Sequence, residues 1–244
     1  METADDLRHP PLRNNPVVFM AGGRGSRLHP LTEVCPKPLL KVGDKPILET
    51  ILDGFIEQGF RRFYISVNYR ADMIIEYFGD GSNWNAEINY LRETIPLGTA
   101  GSLGLLTPRP ELPILVINGD ILTKADYGQL LNFHLKNNMG ATVCIKEQFY
   151  QIPYGVVTFS NNRLLQLDEK PIQKFFINAG IYILNPEVLN YISQGSCIDI
   201  TDLIKILLES GHQIAVFPIR EYWLDIGRIN DFERANMEFA EVFR

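Results

Sequence analysis

The tetrapeptide Val17–Met20 runs without a break into Ala21-Gly22-Gly23-Arg24-Gly25-Ser26-Arg27-Leu28. A short apolar run that ends in a glycine-rich turn reads as a buried strand feeding a loop. The next apolar residues, Ile47, Leu48, Ile51, Leu52, Phe55 and Ile56, recur at the spacing of one helix face, and Gly59 closes that helix. The order then repeats: Arg62 to Asn68 reads as a strand, Ala71 to Phe78 as a helix, Glu87 to Leu91 and Ile114 to Asn118 as strands, and Asp126 to Asn138 as a helix. Alternation of this kind predicts an α/β fold with a mostly parallel central sheet and helices on both faces.

The second half changes pattern. Thr142 to Lys146, Gly155 to Phe159, Leu164 to Leu167 and Ile177 to Leu184 are strand-like, with a hairpin turn expected at Asn161-Asn162. Helices return at Pro186 to Ile192, Ile200 to Ser210 and Ile229 to Phe243. This reads as one domain, residues 16–244, with a nucleotide-type half at about 16–140 and a more antiparallel acceptor lobe at about 141–244. Residues 1–15, with Glu2, Asp5, Asp6 and three prolines nearby, read as a linker or chain end and lack the basic, apolar pattern of a signal peptide.

Composition excludes several classes. With 244 residues, 45% hydrophobic and 21% charged, the chain has enough apolar mass for a full core, unlike a disordered segment. The formal charge of -6 argues against a nucleic-acid binder, whose affinity would come from lysines and arginines releasing counterions. No segment supplies the roughly 20 apolar residues of a bilayer span. Cys35, Cys144 and Cys197 stand far apart without CxxC spacing, which favours neither a zinc site nor a disulfide framework and fits a reducing cytoplasm. His9, His29, His134 and His212 have no paired-ligand spacing.

Glycines after a first strand let backbone N–H groups approach phosphates with no Cβ in the way. The dinucleotide fingerprint is not met, because Leu28 stands where its third glycine would be, and no Gly-Lys-Ser/Thr completes a P-loop. Arg24 and Arg27 would instead add side-chain charge. The loop alone reads equally well as a glycine turn with two solvated arginines. Its continuation decides: AGGRGSRLHPLTEVCPKPLLKVGDKP resembles the signature of the sugar nucleotidyltransferases, which join a sugar 1-phosphate to a nucleoside triphosphate. The resemblance runs from about Val17 to the C-terminus and implies their Rossmann-like nucleotide-diphospho-sugar transferase fold.

That resemblance implies a set of roles. Ala21, Gly22, Gly23, Arg24, Gly25 and Ser26 would cradle the nucleotide, and Arg27 and Lys37 would be catalytic. Asp120, closing the strand ILVIN in Asn118-Gly119-Asp120, and Asp225, in Trp223-Leu224-Asp225-Ile226-Gly227, would hold Mg²⁺. The first of these stands where ligands collect in open α/β sheets, at the carboxyl end of a strand. Arg228 departs from the small hydroxyl residue that often follows Gly227 in the family. Glu93, followed by Pro-Leu-Gly-Thr-Ala-Gly from Pro96 to Gly101, looks like the nucleotide-selecting and sugar-contacting loop of guanylyltransferase-type members, with Gly98 and Thr99 at the nucleotide. Tyr154-Gly155-Val156-Val157, Glu169-Lys170-Pro171 and Asn178-Ala179-Gly180-Ile181-Tyr182 resemble the acceptor strands: Lys170 would hold the sugar phosphate, Glu169 and Asn178 the sugar hydroxyls, and Gly155 would admit the ring.

The expected reaction is an in-line displacement in which a sugar 1-phosphate oxygen attacks the α-phosphorus and pyrophosphate leaves, with GTP the favoured donor and an amino- or N-acetylamino-hexose 1-phosphate ahead of mannose, glucose or heptose phosphates. UTP, dTTP or CTP remain alternative donors. A metal-dependent glycosyltransferase is a competing reading, although its Asp-x-Asp is missing at Asp120-Ile121-Leu122. A nucleotide-binding paralogue without turnover is another. Relatives of this pattern also admit paired CBS domains ahead of the transferase, and a homo-oligomer.

Overall fold

A computed structural model describes residues 10–243. In chain order the first half holds β1 (Val17–Met20), β2 (Lys41–Val42), β3 (Lys45–Pro46), α1 (Ile47–Glu57), β4 (Arg62–Val67), α2 (Ala71–Phe78), β5 (Glu87–Arg92), α3 (Gly98–Gly101), β6 (Ile114–Asn118), β7 (Ile121–Thr123) and α4 (Tyr127–Asn137). The second half holds β8 (Ala141–Gln151), β9 (Gly155–Ser160), β10 (Arg163–Glu169), β11 (Ile172–Leu184), α5 (Ile200–Glu209), β12 (Ile214–Ile219), β13 (Trp223–Asp225) and α6 (Ile229–Val242).

Seven strands form the central sheet in the order β12-β8-β11-β6-β1-β4-β5. β1 pairs in parallel with β4 and β6, and β5 with β4; β11 enters antiparallel to both β6 and β8, and β12 returns parallel to β8. One reversed strand in seven matches the mostly parallel expectation. Side chains alternate across β1, so that Val17 and Phe19 join a core with Leu52, Phe55, Leu130 and Phe239 while Val18 joins the other with Leu103, Leu203 and Leu207. Both faces are therefore covered by helices, as continuous apolar strands require. α1 buries Ile47, Leu48, Ile51, Leu52 and Phe55, the stripe read from its sequence.

Four differences from the sequence reading have physical causes. Pro186–Tyr191 is a 3₁₀ segment, not an α-helix: bonds such as Val188 N–H to the Asn185 carbonyl close tighter turns that bury Val188 and Leu189. β8 and β11 are much longer than read, because their outer halves pair with each other, Ile172 opposite Gln151, with neither face buried and so without a period of two. β7, β12 and β13 were too short or too interrupted to read. Arg13 donates its backbone N–H to the Gly59 carbonyl at 2.9 Å and the Asn15 amide bonds the Pro113 carbonyl at 2.8 Å, so the lead-in is held on the domain from Arg13 onward. The rest of that lead-in, residues 1–9, lies outside the described residues. The Asn161-Asn162 turn is as read, with φ of 48° and 61°.

Candidate active site

The carboxyl ends of β1, β4, β5 and β6 open on one cleft. Its centre, a cavity of about 360 Å³, is lined by Gly22, Gly23, Arg27, Glu93, Gly98, Thr99, Asn118, Asp120 and Asp225. A second cavity of about 230 Å³ shares Gly23, Arg27 and Asp120 with it and adds Gly25, Ser26 and Lys37. A third of about 290 Å³ shares Thr99, Asn118 and Asp225 and adds Asn178, Gly180, Tyr182, Asp199 and Trp223. Shared walls make the three one continuous cleft.

The glycine loop holds its shape through local chemistry. Gly25 sits at φ +64°, and a Cβ there would lie 3.0 Å from the Thr32 methyl and 3.1 Å from Lys37 Cβ. Thr32 Oγ1 donates to the Gly25 carbonyl at 3.0 Å, and Leu28, fully buried, anchors the loop's far end. That anchor is why a leucine stands where the dinucleotide fingerprint has a glycine: the chain plugs the core here instead of starting a long helix. Arg24 is exposed and lines none of the three cavities.

Lys37, a largely buried lysine, places Nζ 2.5 Å from Asp120 Oδ2. Asp120 Oδ1 is buried with no hydrogen-bond partner. Asp225 arrives beside it through β13, which pairs with β7, and Ile226 N–H closes on the Asp120 carbonyl at 3.0 Å. Desolvation by the cleft walls and, next, the Asp120 carboxylate push the Asp225 carboxyl above the ordinary range, while Lys37 and Arg27 pull it back. Two carboxylates face two cations, and one acceptor atom is left over.

Both carboxylate oxygens of Glu93 already accept one hydrogen bond. Oε1 accepts from Ser66 Oγ and Oε2 from the Leu97 N–H at 2.9 Å, while its backbone carbonyl takes the Asn68 amide at 2.9 Å. A Cβ on Gly22 would stand 2.7 Å from Oε1, so the glycine is required by the carboxylate across the cleft. Gly98, at φ +75°, lets the chain pass within 2.6 Å, from an imagined Cβ, of the Ile198 carbonyl. Thr99 then donates both N–H (3.0 Å) and Oγ1 (3.2 Å) to Asp199 Oδ1 and accepts from Ile200 N–H at 2.9 Å.

Of the four residues that the resemblance assigns to the acceptor, only Asn178 lines the cleft. Its amide donates to Tyr182 Oη at 2.6 Å and accepts from Gly180 N–H at 3.0 Å, around the bulge between Asn178 and Tyr182. Gly155, Glu169 and Lys170 sit together on the exposed β9–β10 hairpin, where Gly155 pairs with Glu169, and they line none of the three cavities. Ser66, Asn118, Tyr182, Asp199 and Trp223 line the cleft but were not singled out. Asn118, Tyr182 and Trp223 stood inside the quoted motifs, and Asp199 carried a helix-start signal; Ser66 looks like an ordinary strand residue.

A family description, nucleotidyl transferase, matches residues 16–242. The chain belongs to that family. Among curated relatives, a mannose-1-phosphate guanyltransferase of Yarrowia lipolytica is 33% identical over 231 residues, covering 88% of this chain and 61% of that protein. The mannose-1-phosphate guanylyltransferase catalytic subunit beta of Drosophila melanogaster is 33% identical over 226 residues, covering 88% and 60%. The chain thus spans about three-fifths of the length of these nucleotidyl transferases. Among solved structures, HddC from Yersinia pseudotuberculosis superposes with a TM-score of 0.71 at 25% identity, covering 92% of this chain and 99% of that one. A further structure of HddC is complexed with GMP-PN.

Proposed function

We propose that the chain transfers a nucleotidyl group from a nucleoside triphosphate, GTP by preference, to a hexose 1-phosphate of the mannose type, releasing pyrophosphate and forming a nucleoside diphosphate sugar. The observation that carries it is the convergence of Arg27, Lys37, Asp120 and Asp225 between the glycine loop and the Asn178 cavity, at the point where donor and acceptor phosphates would meet. The names of the relatives move mannose ahead of the amino-hexoses favoured from sequence alone.

An acceptor phosphate oxygen forms the new bond to the α-phosphorus as the bond to the bridging oxygen of pyrophosphate breaks. The phosphate monoester is itself a competent nucleophile, so alignment and charge neutralisation carry the catalysis. Arg27 and Lys37 neutralise charge on the phosphates, and the backbone of Ala21 to Ser26 cradles them. The buried, unpartnered Asp120 Oδ1 beside Asp225 fits a hard cation, and Asp120 and Asp225 would hold Mg²⁺. When bound, that ion supplies charge neutralisation at the phosphates. Glu93, already committed to Ser66 and Leu97, fixes the loop that faces the base and keeps lone pairs for guanine N–H groups.

In the third cavity Asn178, Thr99 and Asp199 offer polar groups for sugar hydroxyls. Glu169 and Lys170 would reach the acceptor from the hairpin. Three free cysteines fit a reducing, cytoplasmic setting. No helix among the described residues is long and apolar enough to cross a membrane.

The test crosses GTP, UTP, CTP and dTTP with mannose, glucose, heptose and N-acetylglucosamine 1-phosphates, read by pyrophosphate release. The expected result is the highest kcat/KM for GTP with a mannose-type acceptor. A UTP or dTTP value equal to that for GTP overturns the donor assignment. No pyrophosphate from any pair, despite tight nucleotide binding, overturns the enzyme.

A further inference from the structure

We infer that Asn118 is a specificity-determining residue that hydrogen-bonds the C2 hydroxyl of the acceptor sugar; the inference rests on the sugar 1-phosphate reading above. Asn118 is the last residue of β6, in register with Met20 at the end of β1. Side chains alternate along β6: Leu115 and Ile117 face one core, Ile114 and Val116 the other, and Asn118 continues the row of Ile114 and Val116. The row leaves the core here and meets the cleft. An amide thus stands where the strand's own pattern would put one more apolar side chain.

Neither end of that amide is matched within the described residues. Oδ1 is buried without a hydrogen-bond partner, as Asp120 Oδ1 is two residues on, and Nδ2 donates to none of them. The polar groups nearby are committed to one another: Asn178 to Tyr182 Oη and to the Gly180 N–H, and Trp223 Nε1 to the Ala179 carbonyl at 2.9 Å. Gly180 makes room for the amide. At its φ of +69° a Cβ would lie 2.9 Å from Asn118 Nδ2 and 3.3 Å from Asn118 Cγ. The bulge therefore fixes the amide by packing and leaves its hydrogen bonds open. Buried polar groups in native proteins are paired in the great majority, and one left open beside a cleft points to a ligand.

Chemistry selects a hydroxyl as that ligand's group. An ionised phosphate oxygen only accepts, and Arg27 and Lys37 supply the charge for phosphates, whereas a hydroxyl both donates and accepts, as the two open ends of an amide require. Position selects C2. Asn118 lines both the central cavity and the cavity that holds Asn178. In a hexose 1-phosphate the carbon beside the phosphate-bearing C1 is C2, so its hydroxyl is the first one met between the phosphate site and the sugar cavity.

The test uses mannose 1-phosphate and glucose 1-phosphate, which differ only at C2, with their common 2-deoxy analogue. In the parent chain the 2-deoxy acceptor is expected to fall below the better hexose by about 10- to 100-fold in kcat/KM. Asn118→Leu keeps the branched shape and removes the polar atoms. It is expected to close that gap to within about threefold, through loss on the hexose alone, with KM for GTP unchanged. Asn118→Ala is expected to repeat the loss. An unchanged gap, or a loss of equal size on both acceptors in a folded variant, overturns the proposal. Calorimetry with a non-reacting GTP analogue bound gives the same comparison as affinities. A chain that forms no pyrophosphate yet prefers the hexose through Asn118 loses the reaction and keeps the contact; one that forms pyrophosphate and binds both acceptors equally keeps the reaction and loses the contact.

Discussion

At the scale of single residues the cleft sets burial and the Asp120 carboxylate against a charged Asp225, an opposition that Lys37 and Arg27 offset only in part. The Asp225 carboxyl is held above its ordinary value, so its contribution to stability is present below the unfolded value and is lost as pH rises through the folded one. Charged Asp225 therefore destabilises the free protein at neutral pH. Asp225→Asn is expected to raise Tm at pH 7, with the gain vanishing toward pH 3, and to lower turnover by about 100-fold or more. Asp120→Asn is expected to lose as much turnover, with Mg²⁺ titration failing to restore it, because an amide is a poor ligand for a hard cation. Activity within threefold of the parent at saturating Mg²⁺ would refute the metal assignment. Gly22→Ala would drive a methyl toward Glu93 Oε1, 2.7 Å from the Cβ position, and displace the carboxylate that holds Leu97. Misplacement on this scale predicts a fall in kcat/KM for GTP of roughly 100-fold at unchanged circular dichroism.

At the scale of elements, the loop that opens α3 is tied to the start of α5 more than 90 residues later. Ala100 and Gly101 N–H groups bond the Ile198 carbonyl, Ile198 N–H bonds the Leu97 carbonyl, and Thr99 and Asp199 complete the seam. This seam joins the Glu93 wall of the cleft to the cavity that holds Asn178. Gly98→Ala places a Cβ 2.6 Å from the Ile198 carbonyl at a φ of +75°. It is expected to cost roughly 1–3 kcal/mol, read as a lower urea midpoint, and to raise KM for the sugar phosphate as Asp199 shifts. A midpoint unchanged from the parent would show the seam to be slack.

At the scale of the molecule, the reversed β11 and the β8 beside it are held to the helical layer by a buried histidine. His134 on α4 is 1% exposed and bridges Thr142 Oγ1 at 2.8 Å and Asn185 Oδ1 at 2.9 Å, the two ends of that insertion. Burial, partly offset by Asn185, lowers its pKa below the ordinary 6.5. The unfolded chain then takes up a proton before the folded one does, so this contribution is complete above about pH 6.5 and is lost as pH falls through the folded value. Tm is expected to drop between pH 6.5 and 5, and His134→Gln to flatten that part of the profile while lowering Tm at pH 7. A profile of unchanged steepness in the variant would place the acid sensitivity elsewhere.

The fold class was legible because each buried element carries its period: Ile47 to Phe55 turn one face inward, and Val17 to Phe19 alternate between two cores. That the glycine loop, Arg27, Lys37 and Asp120 share one cleft was legible too, because the glycines and Asp120 follow the ends of readable strands and Arg27 and Lys37 stand inside the quoted signature. Sequence could not show that Gly22 answers to Glu93 or that Asp199 holds Thr99, since both pairings join residues 71 or more apart through space rather than through any local period. Nor could it show where Glu169 and Lys170 stand. Their hairpin lacks a clean period, with Val156-Val157 and Leu164-Leu165 adjacent and the register shifting between Leu164 and Gln166, so only the tertiary structure decides where it stands relative to the cleft.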